Sequence, residues 1–280
     1  MEKIDLHIHS NISDGDLSIE EIIKLAKKND CNKIAITDHE KINDYSLIAK
    51  NNDITIINGI EFNSSEKGMH ILGYCHENID LIKKVTSEIN TSNENVCFEV
   101  IELLHKAGYD ISIQQVIDFI ISNGFNYDNM DKKKIVKYLI YKGYAKNVLD
   151  AYDSLIGRNQ KFYIPIKKLS PIEIIDLINN SGGISVLAHP ESLKLCDKDL
   201  LIRVKELLVN GLSGIEIINS KTNLNNKSVY EQIAKELGLL CTVGSDFHSD
   251  KEDNIGINVD DEIFQKFEEK IKYKKRKNMI

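Results

Sequence analysis

The chain has 280 residues and a formal net charge of -7, the balance of 36 Lys and Arg against 43 Asp and Glu. A hydrophobic fraction of 42% is enough for a core and excludes global disorder. No apolar run approaches the roughly 18 residues that a membrane span needs. The acidic balance excludes a protein that coats nucleic acid, because such proteins need an excess of Lys and Arg to neutralise phosphates.

The first part of the chain alternates short apolar runs with amphipathic stretches. Four runs predict strands, at Ile4–Ile8, Lys33–Thr37, Ile54–Ile60 and Met69–Tyr74. Ser18 and Glu21 form a Ser-x-x-Glu box, which predicts the start of a helix between the first two strands.

The pattern changes near residue 80 to apolar residues at helical spacing, and it returns to the earlier alternation after Pro165. Ser170, Pro171 and Glu173 then predict a capped helix start. Three further strands are predicted, at Ile184–Ala188, Gly214–Ile218 and Leu239–Val243. This alternation predicts a parallel sheet or barrel formed by residues 1–79 and 166–270, with a helical insertion or cap over 80–165 and a basic, solvated tail over 271–280.

The five cysteines are scattered, and none forms a Cys-x-x-Cys pair. The odd count and the spacing predict no disulfide framework and favour a reducing, cytoplasmic location. The first unusual motif begins at Asp5, so we expect no signal peptide before it.

Six of the eight histidines lie at predicted strand ends, together with three carboxylates. The set is His7, His9, Asp14, His39, Glu61, His70, His189, Asp246 and His248. Residues at i and i+2 of a strand share a face, and strand ends are where α/β barrels gather their site residues. Imidazole and carboxylate together suit Zn, Mn or Fe, and nine ligands exceed the needs of one ion. A multinuclear metal site with a bridging carboxylate is therefore predicted.

Four further His and Asp residues are not predicted to be metal ligands. His76 and His105 are expected to be structural or exposed. Asp5 and Asp38 lie beside predicted ligands and are expected to orient imidazoles. For Asp38, an equally good alternative is a cap on the turn after its strand.

The ordered motifs, which run from residue 5 to residue 248, resemble the PHP (polymerase and histidinol phosphatase) domain family. The resemblance implies a distorted (β/α)7 barrel with a mostly helical insertion and two to three divalent ions. The implied ligand sets are His7, His9, Glu61 and Asp246 for one ion, Glu61, His70 and His189 for a second, and Asp14, His39 and His248 for a third. Glu61 would bridge two ions, and Glu61, Asp246 and His248 are the expected catalytic groups.

The stretches around Ser170, Gly214 and Gly244 are similar to those of stand-alone PHP phosphoesterases, which include nucleoside 3',5'-bisphosphate phosphatases and RNase AM-type 5'-3' exoribonucleases. Those relatives usually carry an Arg motif inside the insertion and an Arg soon after the His-Pro pair. Here the His189-Pro190 pair is followed by Glu191, and the insertion offers Lys132, Lys134 and Arg158. These three are the expected phosphate contacts, although Arg158 is also read as an ordinary surface residue.

The expected reaction is hydrolysis of a phosphate monoester by a metal-activated water, because bound divalent ions lower the pKa of water and neutralise phosphate oxygens. The expected substrate is a nucleoside 3',5'-bisphosphate or a short 5'-phosphorylated oligoribonucleotide. A histidinol-phosphate phosphatase is an alternative within the enzyme class. A non-catalytic PHP module that binds metal is the alternative from another class, but degenerate modules lose ligands and this sequence keeps a metal-binding residue type at every matched position.

Overall fold

The computed structural model describes residues 2–45, 48, 54–124, 127, 129–249, 254–259 and 266–270. The basic tail predicted over 271–280 lies outside these residues. The chain divides into two compact units, the first of Met1–Lys83 and Leu169–Ile280 and the second of Lys84–Lys168. All five cysteines are free thiols. Within the described residues, none of the helices has the length and apolar character of a membrane span.

Eight strands of the first unit form one sheet that nearly closes into a barrel. They are β1 (Glu2–Ile8), β2 (Lys33–Ile36), β3 (Thr55–Asn63), β4 (His70–Tyr74), β5 (Ile184–Leu187), β6 (Gly214–Ile218), β7 (Leu240–Val243) and β8 (Ile257–Val259). Their order in space is β7-β6-β5-β4-β3-β2-β1-β8. The predicted α/β barrel is confirmed. The sequence pattern missed β8, because a three-residue strand is too short to show an alternation of apolar and polar residues.

The helices alternate with the strands of the first unit and dominate the second. They are α1 (Ile19–Lys28), α2 (Ile79–Lys106), α3 (Ile113–Ser122), α4 (Lys132–Tyr141), α5 (Val148–Ala151), α6 (Pro171–Asn180), α7 (Asp197–Val209) and α8 (Leu224–Leu237). A π-helical turn (Tyr152–Ile156) follows α5, and a 3-10 turn (Pro190–Leu193) follows β5. The second unit has its own apolar core, in which Val100, Leu104 and Leu139 are fully buried.

Both helix starts predicted from capping residues are confirmed. Ser18 accepts a hydrogen bond from the backbone of Glu21, and the Glu21 side chain accepts one from the backbone of Ser18. Ser170 and Glu173 make the same reciprocal pair at the start of α6, with Pro171 in the first turn. These bonds satisfy backbone N–H groups that a helix leaves without partners at its start.

Strand β4 runs antiparallel to both of its neighbours, β3 and β5. The parallel arrangement predicted for the sheet or barrel thus fails at β4, and it fails also at β8, which pairs antiparallel with β1. The connection over 64–69 is too short for a crossover, which needs a dozen or more residues. The reversal places His70, the first residue of β4, opposite Asn63 near the carboxyl end of β3.

The barrel closes where β1 meets the segment after β7. The backbone N–H of Asp246 donates to the carbonyl of His7 at 2.9 Å, and the N–H of His9 donates to the carbonyl of Phe247 at 2.9 Å. Gly244 permits this approach, since a Cβ at that position would lie 2.3 Å from the Cβ of His7. The carboxyl end of β1 and the segment after β7 thus meet directly beside the predicted ligands.

The buried side chain of Asp5 stabilises this closure through hydrogen bonds. Its carboxylate is fully buried and accepts backbone N–H bonds from His7 (3.2 Å), Ser245 (2.8 Å) and Gly256 (2.8 Å). Burial raises the pKa of Asp5 to about 6, against the opposing hydrogen bonds from Ser245. The prediction that Asp5 orients an imidazole is wrong, because backbone N–H groups of three chain segments take up both oxygens.

We expect Asp5→Ala to lower the free energy of unfolding by ~3 kcal/mol or more, since it leaves buried N–H groups without an acceptor. Urea unfolding followed by circular dichroism measures this change. Asp16→Ala, which removes an exposed carboxylate from the loop after β1, is the matched control and should change stability by less than ~0.5 kcal/mol. Equal stabilities of the two variants would contradict the role given to Asp5.

Candidate metal centre

The nine side chains predicted as metal ligands converge at one end of the barrel. They form three groups with shared members, namely His7, His9, Glu61 and Asp246; Glu61, His70 and His189; and His9, Asp14, His39 and His248. Within each group, one potential ligand atom of every member lies within 4.8 Å of the others. The structure thus brings together all nine residues, and their binding of ions stays a prediction.

Glu61 lies at the centre of the cluster and is 1% exposed. Its two oxygens approach five imidazoles at 2.8 to 3.3 Å, those of His7, His9, His39, His70 and His189. Burial raises the pKa of Glu61, but the imidazoles, His39 and His7 foremost, lower it well below its usual value. Glu61 is therefore an ionised carboxylate held within a ring of nitrogen atoms.

His7 and His9 carry ring nitrogens that are buried and make no hydrogen bond. These atoms are Nε2 of His7 and both ring nitrogens of His9. Their Nε2 atoms lie 3.1 to 3.5 Å from oxygens of Glu61 and Asp246 without hydrogen-bond geometry. Buried polar atoms without hydrogen bonds are rare and costly. Lone pairs of imidazoles that point at carboxylates fit a divalent cation between them.

The charge of the cluster favours a bound cation. Burial lowers the pKa of His9, but the carboxylates of Asp246 and Glu61 outweigh it and raise the pKa to about 9. Burial also lowers the pKa of His7, but the carboxylates of Glu216 and Glu61 outweigh it and raise the pKa well above its usual value. The carboxylates thus stabilise positive charge at these imidazoles, whether a proton or a metal ion carries it.

The third group is more open to solvent. Asp14 lies 3.6 Å from His9 and His248 and 3.7 Å from His39. The His248 side chain is 35% exposed, whereas that of His9 is fully buried. The amide of Asn63 lies 2.9 Å from Nδ1 of His39 and helps to fix that ring. This side of the cluster gives a solvent-borne substrate the easier access.

Glu216 contacts two histidines of the cluster, and the sequence analysis did not identify it as a site residue. It lies in the middle of β6, is 1% exposed, and accepts from Nδ1 of His7 at 3.0 Å and from the backbone N–H of His189 at 2.7 Å. A carboxylate on the far ring nitrogen fixes the tautomer and leaves Nε2 for a metal. The available signal was a lone Glu inside an apolar strand, where an ionised group needs a partner.

Asp38 holds the loop after β1. Its carboxylate accepts from the N–H of Ser10 (2.8 Å), the hydroxyl of Ser10 (2.7 Å) and the hydroxyl of Ser13 (2.6 Å). The prediction that Asp38 orients an imidazole is wrong, and so is the alternative of a cap on its own turn. Its effect on the site is indirect, because the loop that it fixes carries Asp14.

Two of the nine residues have backbone conformations with positive φ, which L residues rarely adopt. His189 has φ of 24° and Asp246 has φ of 58°. Each such conformation costs about 1–3 kcal/mol and persists where surrounding contacts impose it. For His189 those contacts include Glu216 and the hydroxyl of Ser192, 3.0 Å from Nδ1. The cluster thus contains two of the seven non-glycine residues that have positive φ in the described part of the chain.

The three predicted phosphate contacts lie in the second unit. Lys132 donates to the carbonyl of Ile164 at 2.7 Å, and Lys134 pairs with Asp131 at 2.7 Å. Arg158 follows the π-helical turn. Their contact with a phosphate stays a prediction.

Comparisons with known proteins agree with the site. A sequence model of the PHP domain matches residues 5–170. A 5'-3' exoribonuclease of Haemophilus influenzae is 27% identical over 256 residues, which cover 88% of this chain and 90% of that protein. A 3',5'-nucleoside bisphosphate phosphatase of Chromobacterium violaceum is 24% identical over 255 residues, which cover 89% and 88%. A solved structure of a Chromobacterium violaceum amidohydrolase shares the fold, with a TM-score of 0.76, 22% identity and coverage of 95% and 96%.

The family match spans more than half of the chain, and the chain therefore belongs to the PHP domain family. The family and the relatives' activities make it a phosphoesterase, a hydrolase that acts on phosphoric ester bonds. The structural likeness supports the fold alone.

We expect Glu216→Gln to lower the affinity for Mn²⁺ by about 10- to 100-fold, because the amide no longer fixes the tautomer of His7 with a negative charge. Titration of the metal-stripped protein by calorimetry measures the affinity. Glu231→Gln, an exchange of a partly exposed carboxylate on α8, should bind Mn²⁺ like the unchanged protein. The same affinity in both variants would exclude Glu216 from a supporting role.

Proposed function

We propose that this protein is a metal-dependent phosphatase that hydrolyses a phosphate monoester of a nucleotide. The proposed substrate is a nucleoside 3',5'-bisphosphate or a short 5'-phosphorylated oligoribonucleotide. The observation that carries the proposal is the convergence of nine metal-binding side chains on the buried carboxylate of Glu61. The names of the two relatives, an exoribonuclease and a bisphosphate phosphatase, support the substrate class.

The three groups of side chains fit three divalent ions, of which Mn, Zn and Fe suit imidazole and carboxylate ligands. We assign His7, His9, Glu61 and Asp246 to the first, Glu61, His70 and His189 to the second, and Asp14, His39 and His248 to the third. Ions bound there would supply an activated water at neutral pH and neutralise the oxygens of the phosphate.

The residues of the chain then have distinct tasks. Glu61 is shared by two groups and fixes their separation. Asp246 contacts His7, His9 and His248 at 3.4 to 3.7 Å and links the closed side of the cluster to its open side. Nδ1 of His248 lies 2.8 Å from the carbonyl of Asp246, which aims Nε2 at the open side. Preorganised groups of this kind stabilise transition-state charge without reorganisation.

The net charge of -7 does not prevent an anionic substrate from binding. Three carboxylates of the cluster, Asp14, Glu61 and Asp246, face six imidazoles. With divalent ions bound, this end of the barrel is locally positive and attracts a phosphate. The first unit supplies the whole cluster, and we assign the second unit as the helical insertion of the barrel.

We expect the purified protein with Mn²⁺ to release phosphate from a nucleoside 3',5'-bisphosphate, and chelation to abolish the release. Assays with histidinol phosphate and with a 5'-phosphorylated oligoribonucleotide on the same preparation distinguish the neighbouring activities. If the metal-loaded protein hydrolyses none of the three substrates, it is a non-catalytic metal-binding module.

His9→Ala and Asp246→Ala are expected to lower kcat/KM by at least about 100-fold while circular dichroism shows the native fold, because each change removes a ligand. His105→Ala is the matched control, since this exposed imidazole lies on α2 outside the three groups. Full activity in His9→Ala after metal removal would overturn the mechanism.

A further inference from the structure

We propose that the loop between β6 and α8 forms the subsite for the part of the substrate beyond the scissile phosphate. Lys221 binds a second anionic group there, and the cleft beside it takes the nucleoside. This inference rests on the proposed phosphatase function and names the residues that select a nucleotide with two phosphates.

Lys221 places a cation at the edge of the predicted metal cluster. Its Nζ lies 3.7 Å from Oδ2 of Asp246, and its side chain is 76% exposed. Asp246 is only 12% exposed, but the ammonium group itself lies in solvent at 3.7 Å from it, so this group keeps its capacity to bind a phosphate oxygen. A group bound by Lys221 would lie next to the cluster, not inside it.

Hydrogen bonds on either side of Lys221 fix the loop that carries it. The amide of Asn219 donates to the carboxylate of Glu191, and the hydroxyl of Thr222 donates to the same carboxylate at 3.2 Å. The backbone N–H of Lys221 donates to the side chain of Asn219 at 2.7 Å, and the hydroxyl of Tyr230 donates to Glu191 at 3.3 Å. A buried amide and a shared carboxylate thus fix the backbone on either side of the lysine.

Glu191 is the shared acceptor of this hydrogen-bond network. Glu191 directly follows the His189-Pro190 pair, in the 3-10 turn after β5. A carboxylate repels phosphate at that position. Here it anchors the loop that presents Lys221, so the cation for the substrate comes from a different strand end.

A cleft of about 640 Å³ lies on the same loop. Its lining comprises Ile218, Thr222, Asn223, Leu224, Asn225 and Lys227. Leu224 is 82% exposed, which leaves its apolar surface available to a planar ring. The amide of Asn225 and the Nδ2 group of Asn223, whose Oδ1 caps α8, offer hydrogen bonds of the kind that bind the edges of a nucleobase. Apolar contact combined with a few polar groups is typical of a small-molecule site.

The test compares two substrates that share the scissile phosphate, a nucleoside 3',5'-bisphosphate and the corresponding nucleoside monophosphate. We expect the unchanged protein to prefer the bisphosphate in kcat/KM, and Lys221→Ala to reduce this preference at least tenfold, mainly through KM. Lys221→Arg should retain most of the preference, because it keeps the positive charge. Lys235→Ala on α8 removes an exposed lysine about 16 Å along the helix from its start and should keep the full preference.

Leu224→Ser tests the cleft. We expect it to raise KM for the nucleoside monophosphate at least fivefold relative to KM for glycerol phosphate, which has no base. An unchanged ratio of the two KM values would show that the nucleoside does not bind in this cleft.

The outcomes separate the inference from the function on which it rests. Absence of phosphate release from every substrate by the metal-loaded, unchanged protein rejects the phosphatase function. Phosphate release without a preference for the bisphosphate, or with the same preference in Lys221→Ala, rejects the subsite and leaves the function standing. An equal loss of preference in Lys235→Ala attributes the effect to net charge and also rejects the subsite.

Discussion

The burial of one carboxylate determines much of this structure. Glu61 is ionised and almost inaccessible to water, and removing such a charge from water is costly unless partners replace the lost solvation. The partners are imidazoles from β1 and from the segments at the ends of β2, β4 and β5. No single element can supply them, so the strands must end at the same level around one point. The same requirement explains the costly backbone of His189, because an imidazole that turned away would leave Glu61 with fewer compensating contacts.

The sequence predicted the seven longer strands to within a few residues, because buried strands are short apolar runs bounded by polar ones. It also placed all nine residues of the cluster, since His, Asp and Glu at strand ends are conspicuous there. The direction of β4 was not predictable from this pattern, which is the same for a strand read in either direction. The role of Asp5 was predicted wrongly, because its partners are backbone groups that only the closed barrel brings near. Glu216 was missed for the related reason that its partner, His7, lies 209 positions away in the chain.

The chemistry and the choice of substrate depend on different parts of the molecule. Residue types at the ends of the barrel strands define a candidate metal centre and, with the family, a class of reaction. In the proposed subsite, selectivity depends on the loop after β6, where Lys221 supplies a positive charge and Glu191 anchors the backbone. The hydrogen bonds of Glu191 come from Asn219, Thr222 and Tyr230, none of which belongs to the nine-residue cluster. A family with one metal centre can thus serve substrates as different as a nucleotide and an RNA end.

The closure of the barrel at Asp5 has a consequence for the order in which the protein is made. The bond from Ser245 to Asp5 joins residues 240 positions apart, and that from Gly256 spans 251. His7 and His9 lie near one end of the sequence and Asp246 near the other, so the group that they form with Glu61 cannot assemble until the segment after β7 has been made. Contacts of such sequence separation form late and slowly. The candidate metal centre therefore assembles only when β7 and the segment after it are in place.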